Sequence, residues 1–252
     1  MNIESLLLSS AMAIAAGLVG CFAVMRRMAL AGDALSHVAL PGIGVALALR
    51  IHPALGAAAM LFFGALLVWS LEDRSRMATE TLIGVVFSTA LAVGSVITSG
   101  EELIDALLGR PGALSMGETA FGLAAAALVV AFVVMRRNAL VVMLVSPDIA
   151  RTAGVNVRLL NFMYLQMFAL TVALGLRYLG VLLMGSLIII PAATAKRLSR
   201  NLTQMLAIGA SAALLATLGG TAAAAWLNRD TGPLIVTAAA AGFLLTLFRK
   251  QA

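Results

Sequence analysis

Apolar positions in this chain come in long unbroken runs. They show neither the alternation of a half-buried strand nor the one-sided stripe of a surface helix. The runs fall at about 5–25, 30–49, 54–71, 82–99, 118–135, 159–177, 179–195, 202–226 and 233–248. Each is close to the ~20 residues that cross a bilayer core as an α-helix. The pattern predicts an all-α fold, a polytopic transmembrane helical bundle of about nine spans. Eight is the competing count, if the first or seventh run does not cross fully. The first run has no basic stretch before it and no clear cleavage site after it, so it reads as a retained span. No repeat, linker or low-complexity tail interrupts the pattern, and residues 1–252 read as a single transmembrane domain.

Composition agrees. Hydrophobic residues make up 62% of the 252 and charged residues 11%, against about 25% charged in soluble domains. So few polar groups cannot cover a soluble fold of this size. The lone Cys21 excludes an intrachain disulfide and a multi-cysteine metal site, and reads as a small buried core residue. The net charge of +6 is read as basic loops retained on the cytoplasmic side, with no nucleic-acid partner. With the Arg26/Arg27 loop inside and the spans alternating, only Arg50, Arg110, Arg177 and Arg229 of the 17 Lys and Arg residues face out. The N-terminus is then outside and the C-terminus inside.

The longest cytoplasmic connection in this scheme is 136–158, "RRNALVVMLVSPDIARTAGVNVR". Within it, Ser146 suits a helix cap, Pro147 the first helical position and Asp148 the positive end of the helix dipole. Gly154 suits the stop. The expectation is a short helix of about two turns on the cytoplasmic face. It is either a plain amphipathic connector or a docking surface for a soluble partner. A second short interfacial helix and turn is expected in "GEELIDALLGRPGALSMGE", 100–118.

Asp33 and His37 stand inside the second apolar run, four residues apart, and so share a helix face one turn apart. Ionisable groups within a span usually face protein or a watery path. Three structural readings are open. Asp33 caps a helix beginning at Gly32, His37 is a hydrogen-bonded packing residue, or the two bond to each other. The functional reading is a divalent cation site, because carboxylate and imidazole both ligate zinc and manganese. One chain offers only one such pair, and a homodimer with its axis beside this helix would supply two. Pro41 removes a helix hydrogen bond and permits a kink. Gly42 and Gly44 permit close helix approach. Pro191 in the seventh run is expected to break that helix, either as a fixed kink or as a flexible point. His52 reads as surface. Arg177 and Tyr178, at the outer boundary, read as interfacial anchors. Glu101, Glu102, Asp105 and Glu118 are candidates for attracting cations.

Nucleotide and hydrolase motifs are missing. There is no G-x-x-x-x-G-K-[ST] loop, no H-E-x-x-H and no G-x-S-x-G. No motif names an enzyme active site, and the chain carries no nucleotide-binding loop of its own.

Several ordered blocks resemble one family. They are "MALAGDALSHVALPGIGVAL" (28–47), "TETLIGVVFS" (79–88), "LIDALLGRPGALS" (103–115), "SPDIARTAGVNVRLLN" (146–161) and "LRYLGVLLMGSLIIIPAATAKRLSRN" (176–201). The chain resembles the integral-membrane permease subunit of ABC-type zinc/manganese uptake transporters. Leu108 stands where that family usually has phenylalanine, a mild departure. The resemblance implies a transport subunit and not an enzyme. It implies a homodimer in a bacterial plasma membrane, two cytoplasmic ATPase subunits that bind the ATP, and an extracytoplasmic metal-binding protein. Arg177 and Tyr178 are alternatively the docking point for that carrier, and Glu101, Glu102, Asp105 and Glu118 could meet its basic groups. The resemblance implies no bound cofactor, with zinc or manganese as the cargo. It places cation ligation at Asp33 and His37, and ATPase coupling at Pro147, Asp148, Ala150 and Gly154. Pro41, Gly42 and Pro191 would serve gating. A permease for a chelated metal, such as a siderophore or corrinoid, and a stand-alone ion transporter are the alternatives. Each would not need the Asp–His pair or the ATPase, respectively.

Overall fold

A computed structural model describes residues 3–75, 77–97, 115–178 and 181–248. All the regular elements it describes are helices: α1 (Ile3–Met25), α2 (Ala31–Ala48), α3 (Pro53–Ser75), α4 (Thr79–Ile97), α5 (Met116–Val145), α6 (Pro147–Thr152), α7 (Val157–Tyr178), α8 (Val181–Leu198), α9 (Leu202–Leu227) and α10 (Thr231–Leu247). Each of the nine apolar runs has its helix. Seven of these helices (α1 to α5, α7 and α9) are long and apolar enough to cross a bilayer, and α10 is a shorter apolar helix. The interfacial helix expected at 100–118 falls mostly outside the described residues.

α5 differs most from expectation. It runs ten residues past the expected end at 135, to Val145, for 30 residues in all. That is about 45 Å of helix. The stretch 124–145 contains neither Gly nor Pro, so nothing stops it, and Leu140 and Met143 bury against the bundle. Its start is fixed by a capping box that sequence reading passed over. The Ser115 hydroxyl accepts from the Glu118 N–H at 3.2 Å, and the Glu118 carboxylate accepts from the Ser115 N–H at 3.0 Å. Glu118 therefore serves as a helix cap.

α1 lies at the centre, against α5, α7, α8 and α9, while α2 packs on α3, α4, α7 and α8. α7 and α8 are thus shared by both groups. Small residues set the spacing, as membrane packing requires. A Cβ on Gly17 would lie 2.5 Å from the Gly209 carbonyl oxygen, and one on Gly20 would fall on the Ile188 carbonyl. Cys21 is buried as expected, its Sγ donating to the Met205 carbonyl at 3.4 Å. Large apolar side chains such as Phe63, Val96, Phe121, Leu128, Leu215 and Leu245 are exposed, the outer surface expected of a protein solvated by lipid.

Glycine packing yields a prediction of opposite signs. Gly42→Ala places a methyl on the Gly56 carbonyl, whereas nothing lies within 4 Å of a methyl at Gly219. Thermal unfolding in detergent should show Gly42→Ala less stable by about 1–3 kcal/mol. Gly219→Ala should be more stable by about 0.5–1 kcal/mol. Equal shifts would mean that the α2–α3 approach does not set stability.

Candidate transport site

α2 begins at Ala31 after a turn in which Arg27 takes a left-handed conformation (φ 61°). Asp33 is the third helical residue. The cap is Leu30, and no side chain bonds to that end, so Asp33 is not the cap. It gains instead from lying within the first turn, where the helix dipole favours a carboxylate. Its side chain is exposed and His37 is partly exposed, one turn further on. The two do not form a hydrogen bond or ion pair with each other, and among the described residues none engages the Asp33 carboxylate. The His37 ring lies tilted against Phe87 of α4, centroids 5.6 Å apart. Ser36, between them, is buried and donates to the Gly32 and Asp33 carbonyls at 3.0 and 2.7 Å.

Glycines orient this face. A Cβ at Gly185 of α8 would meet the Asp33 backbone at 3.2 Å, and one at Gly64 of α3 would meet Val38 Cγ1 at 2.7 Å. Gly42 and Gly56 occlude each other reciprocally, and a Cβ at Gly94 of α4 would meet Leu40 and Pro41 at 3.3 Å. With α3, α4 and α8 seated so closely, α2 keeps one open strip, and Leu30, Asp33 and His37 lie on it. Among the described residues no three His, Cys, Asp or Glu side chains gather. A four-ligand site therefore needs groups from beyond these residues of one chain.

The expected break at Pro191 is not found. α8 runs from Val181 to Leu198 without interruption, and α2 likewise runs through Pro41. Each proline deletes one hydrogen bond, and packed neighbours keep the helix going on both sides. Both prolines are buried. Gly42 has a packing role, against Gly56.

The short helix expected after α5 is α6. Ser146 caps it, accepting from the Ile149 N–H at 3.3 Å, and Pro147 occupies the first turn. Gly154 ends it at φ +79°, with Val155 N–H donating to the Ala150 carbonyl at 2.9 Å and Gly154 N–H to Arg151 at 3.0 Å. This is a Schellman motif. Pro147, Asp148 and Gly154 are exposed, and Asp148 pairs with Arg151 at 2.8 Å. Ala150 points inward and is fully buried. It seats the helix and is not part of the outward surface. Ile149, which sequence reading missed, is 59% exposed there. Its signal was available, since it is the one large apolar residue among the polar positions of α6. Arg177 and Tyr178 close α7, and their side chains lie outside the described residues.

Beside α6, a polar cluster ties the ends of α1, α3, α4 and α7. Arg26 pairs with Glu72 at 3.4 Å. Glu72 also accepts from Thr79 at 2.8 Å and from Asn161 at 3.0 Å. The guanidinium lies 5.3 Å from the Tyr164 ring centroid, and the Tyr164 hydroxyl donates to the Val19 carbonyl at 3.2 Å.

A family model matches residues 1–250, that of the ABC 3 transport family. The chain belongs to this family. The high-affinity zinc uptake system membrane protein ZnuB of Haemophilus influenzae is 30% identical, covering 92% of this chain and 91% of that protein. The manganese import system permease protein ScaB of Streptococcus parasanguinis is 28% identical, over 97% and 89% of the two chains. PsaBC from Streptococcus pneumoniae, solved in complex with Fab, superposes with a TM-score of 0.81 at 26% identity, covering 98% of this chain and 90% of that one. This ABC 3 family permease is thus an integral plasma-membrane protein and a transport subunit.

The polar cluster generates a second prediction. The Arg26 side chain is 10% exposed and that of Glu72 24%. Arg26→Met leaves the Glu72 carboxylate largely buried without its counter-ion, and should lower stability by about 3 kcal/mol. Adding Glu72→Leu should restore most of the loss in the same unfolding measurement. A double variant as unstable as the single one would contradict the pairing.

Proposed function

We propose that this permease forms the membrane path of an ATP-driven importer of divalent transition-metal ions, zinc or manganese, working by alternating access through a homodimer. The supporting observation is the open strip of α2. It carries an unpartnered carboxylate and an imidazole one turn apart, in a chain that matches ZnuB and ScaB along nearly its whole length. Two copies meeting along that strip bring together two Asp33 and two His37. Such a set suits a borderline cation, and oxygen and nitrogen donors accept zinc, manganese and ferrous iron alike. The two relatives' names divide between zinc and manganese at nearly equal identity. Selectivity therefore rests on site geometry and on the delivering protein.

Cytoplasmic ATPase subunits, two per dimer, would press on Pro147, Asp148, Ile149 and Arg151. The Gly154 cap leads α6 directly into α7, and α7 touches α2 and α3. That contact gives the push a route to Asp33 and His37. Pro41 and Pro191 each leave one carbonyl without its helical donor, that of His37 and that of Leu187, and these are the points at which the two continuous helices would flex during gating. A metal-binding protein on the other face would hand over the ion, with Arg177 and Tyr178 as its docking point. The whole chain acts as one membrane domain.

Zinc or manganese uptake by the assembled transporter should fall to background in Asp33→Ala and in His37→Ala, with dimer and ATPase assembly retained. Unchanged uptake would place the site elsewhere. Ile149→Asp should leave assembly measurable but weaken the coupling of ATP hydrolysis to transport. Uptake by the permease alone in liposomes would contradict the ATPase requirement.

A further inference from the structure

We propose that the groove between the end of α3 and the start of α7 binds a glycerophospholipid, its phosphate on Arg158 and one acyl chain along Leu66, Leu159 and Phe162. The proposal is independent of what the permease carries. The groove measures about 450 Å³ and is lined by Leu66, Trp69, Asn156, Arg158, Leu159 and Phe162.

Its polar end is built, not incidental. Trp69 meets Phe162 edge-on with centroids 5.2 Å apart, and its indole Nε1 donates to the Arg158 carbonyl at 3.1 Å. The Arg158 guanidinium stands 4.9 Å from the Trp69 ring centroid and pairs with Asp73 at 3.1 Å. The arginine side chain is nevertheless 64% exposed. A guanidinium carries five N–H donors, so one carboxylate does not exhaust it, and its fork matches a phosphate.

The two helices carry the same depth profile. Along α3 the order is Phe63, Leu66, Trp69, Asp73, from exposed apolar through aromatic to charged. Leu66 and Asp73 are seven residues apart, about 10 Å along the axis. Along α7 the order is mirrored from Arg158 through Leu159 to Phe162. Tryptophan and arginine at the boundary with apolar side chains below are what a headgroup region selects. The apolar lining continues into the exposed face of Phe63 and Leu66, away from the charged end. A soluble protein docking on α6 would meet that lining only past the charged rim. A lipid reaches it by lateral diffusion.

The test uses the purified full chain in detergent with Trp226→Phe, which leaves Trp69 as the sole tryptophan of the two. Phosphatidylglycerol with brominated acyl chains is titrated and Trp69 emission followed. The expected result is saturable quenching that 10 mM inorganic phosphate does not reverse. Arg158→Gln should raise the half-quenching lipid concentration about fivefold. Asp73→Asn, which removes a carboxylate that competes for Arg158, should lower it. Quenching that rises without saturation and is identical in all three proteins would overturn the proposal in favour of bulk lipid contact. Reversal by inorganic phosphate would also overturn it. So would emission that ignores lipid and shifts only when a cytoplasmic partner protein is added.

Discussion

In a bilayer, apolar side chains gain little by leaving lipid for one another, so the rotation of α2 is fixed by how closely backbones approach it. Glycines do this from three sides. Gly185 of α8 admits the Asp33 backbone, Gly56 and Gly64 of α3 admit Gly42 and Val38, and Gly94 of α4 admits Leu40 and Pro41. A methyl at most of these positions would have to displace backbone or a buried side chain. Turning α2 by one residue, about 100°, would lose these contacts and carry Asp33 off the open strip. An ionised aspartate at a helix centre is unfavourable by roughly 2.5–3.5 kcal/mol on insertion scales. The penalty falls toward the helix end, where Asp33 sits, and the first-turn dipole offsets a further part, about 0.3–1 kcal/mol. The glycine contacts and the placement of the charge together let a membrane helix keep a carboxylate open.

The Arg26 cluster lies at the end of the bundle where α6 joins α7. Glu72 receives Arg26 from the turn just past α1, Thr79 from α4 and Asn161 from α7, so the ends of α1, α3, α4 and α7 are tied through one carboxylate. α6 follows α5 after one residue, Ser146, and is joined to α7 by the Gly154 cap. No slack loop therefore separates α6 from α7. The placement of Phe87 against His37 then links α4, one of the tied helices, to the ring on α2.

Much of this was legible in the sequence because bilayer thickness acts on every span alike. Nine apolar runs gave nine helices, with ends close to those expected except at the end of α5. Ser146, Pro147 and Gly154 announced α6 through local chemistry alone. The misses have specific causes. The helix α5 outruns its apolar run because Arg136 and Arg137 end the run without ending the helix, and nothing between 124 and 145 stops it. The resemblance places ATPase coupling at Ala150, which is buried, and a six-residue helix has too few positions for the sequence to show which face packs inward. Gly42 was read correctly as a close-approach residue, but its partner Gly56 could not be named, since sequence carries no record of which helices are neighbours. The same holds for Arg26 and Asn161, 46 and 89 residues from Glu72. Asp33 and His37 were visible at once, because polar groups stand out against an apolar background.

The most direct measurement is cross-linking across the dimer. In a Cys21→Ser background, which removes the one native cysteine, Asp33→Cys or His37→Cys is expressed in membranes and treated with a short thiol-reactive cross-linker. If two copies share the path lined by α2, covalent dimers form at both positions, and zinc or manganese protects a single His37→Cys copy paired with an unaltered one. Monomers only, with both positions labelled by a lipid-soluble reagent, would show that α2 faces the bilayer and would contradict the account.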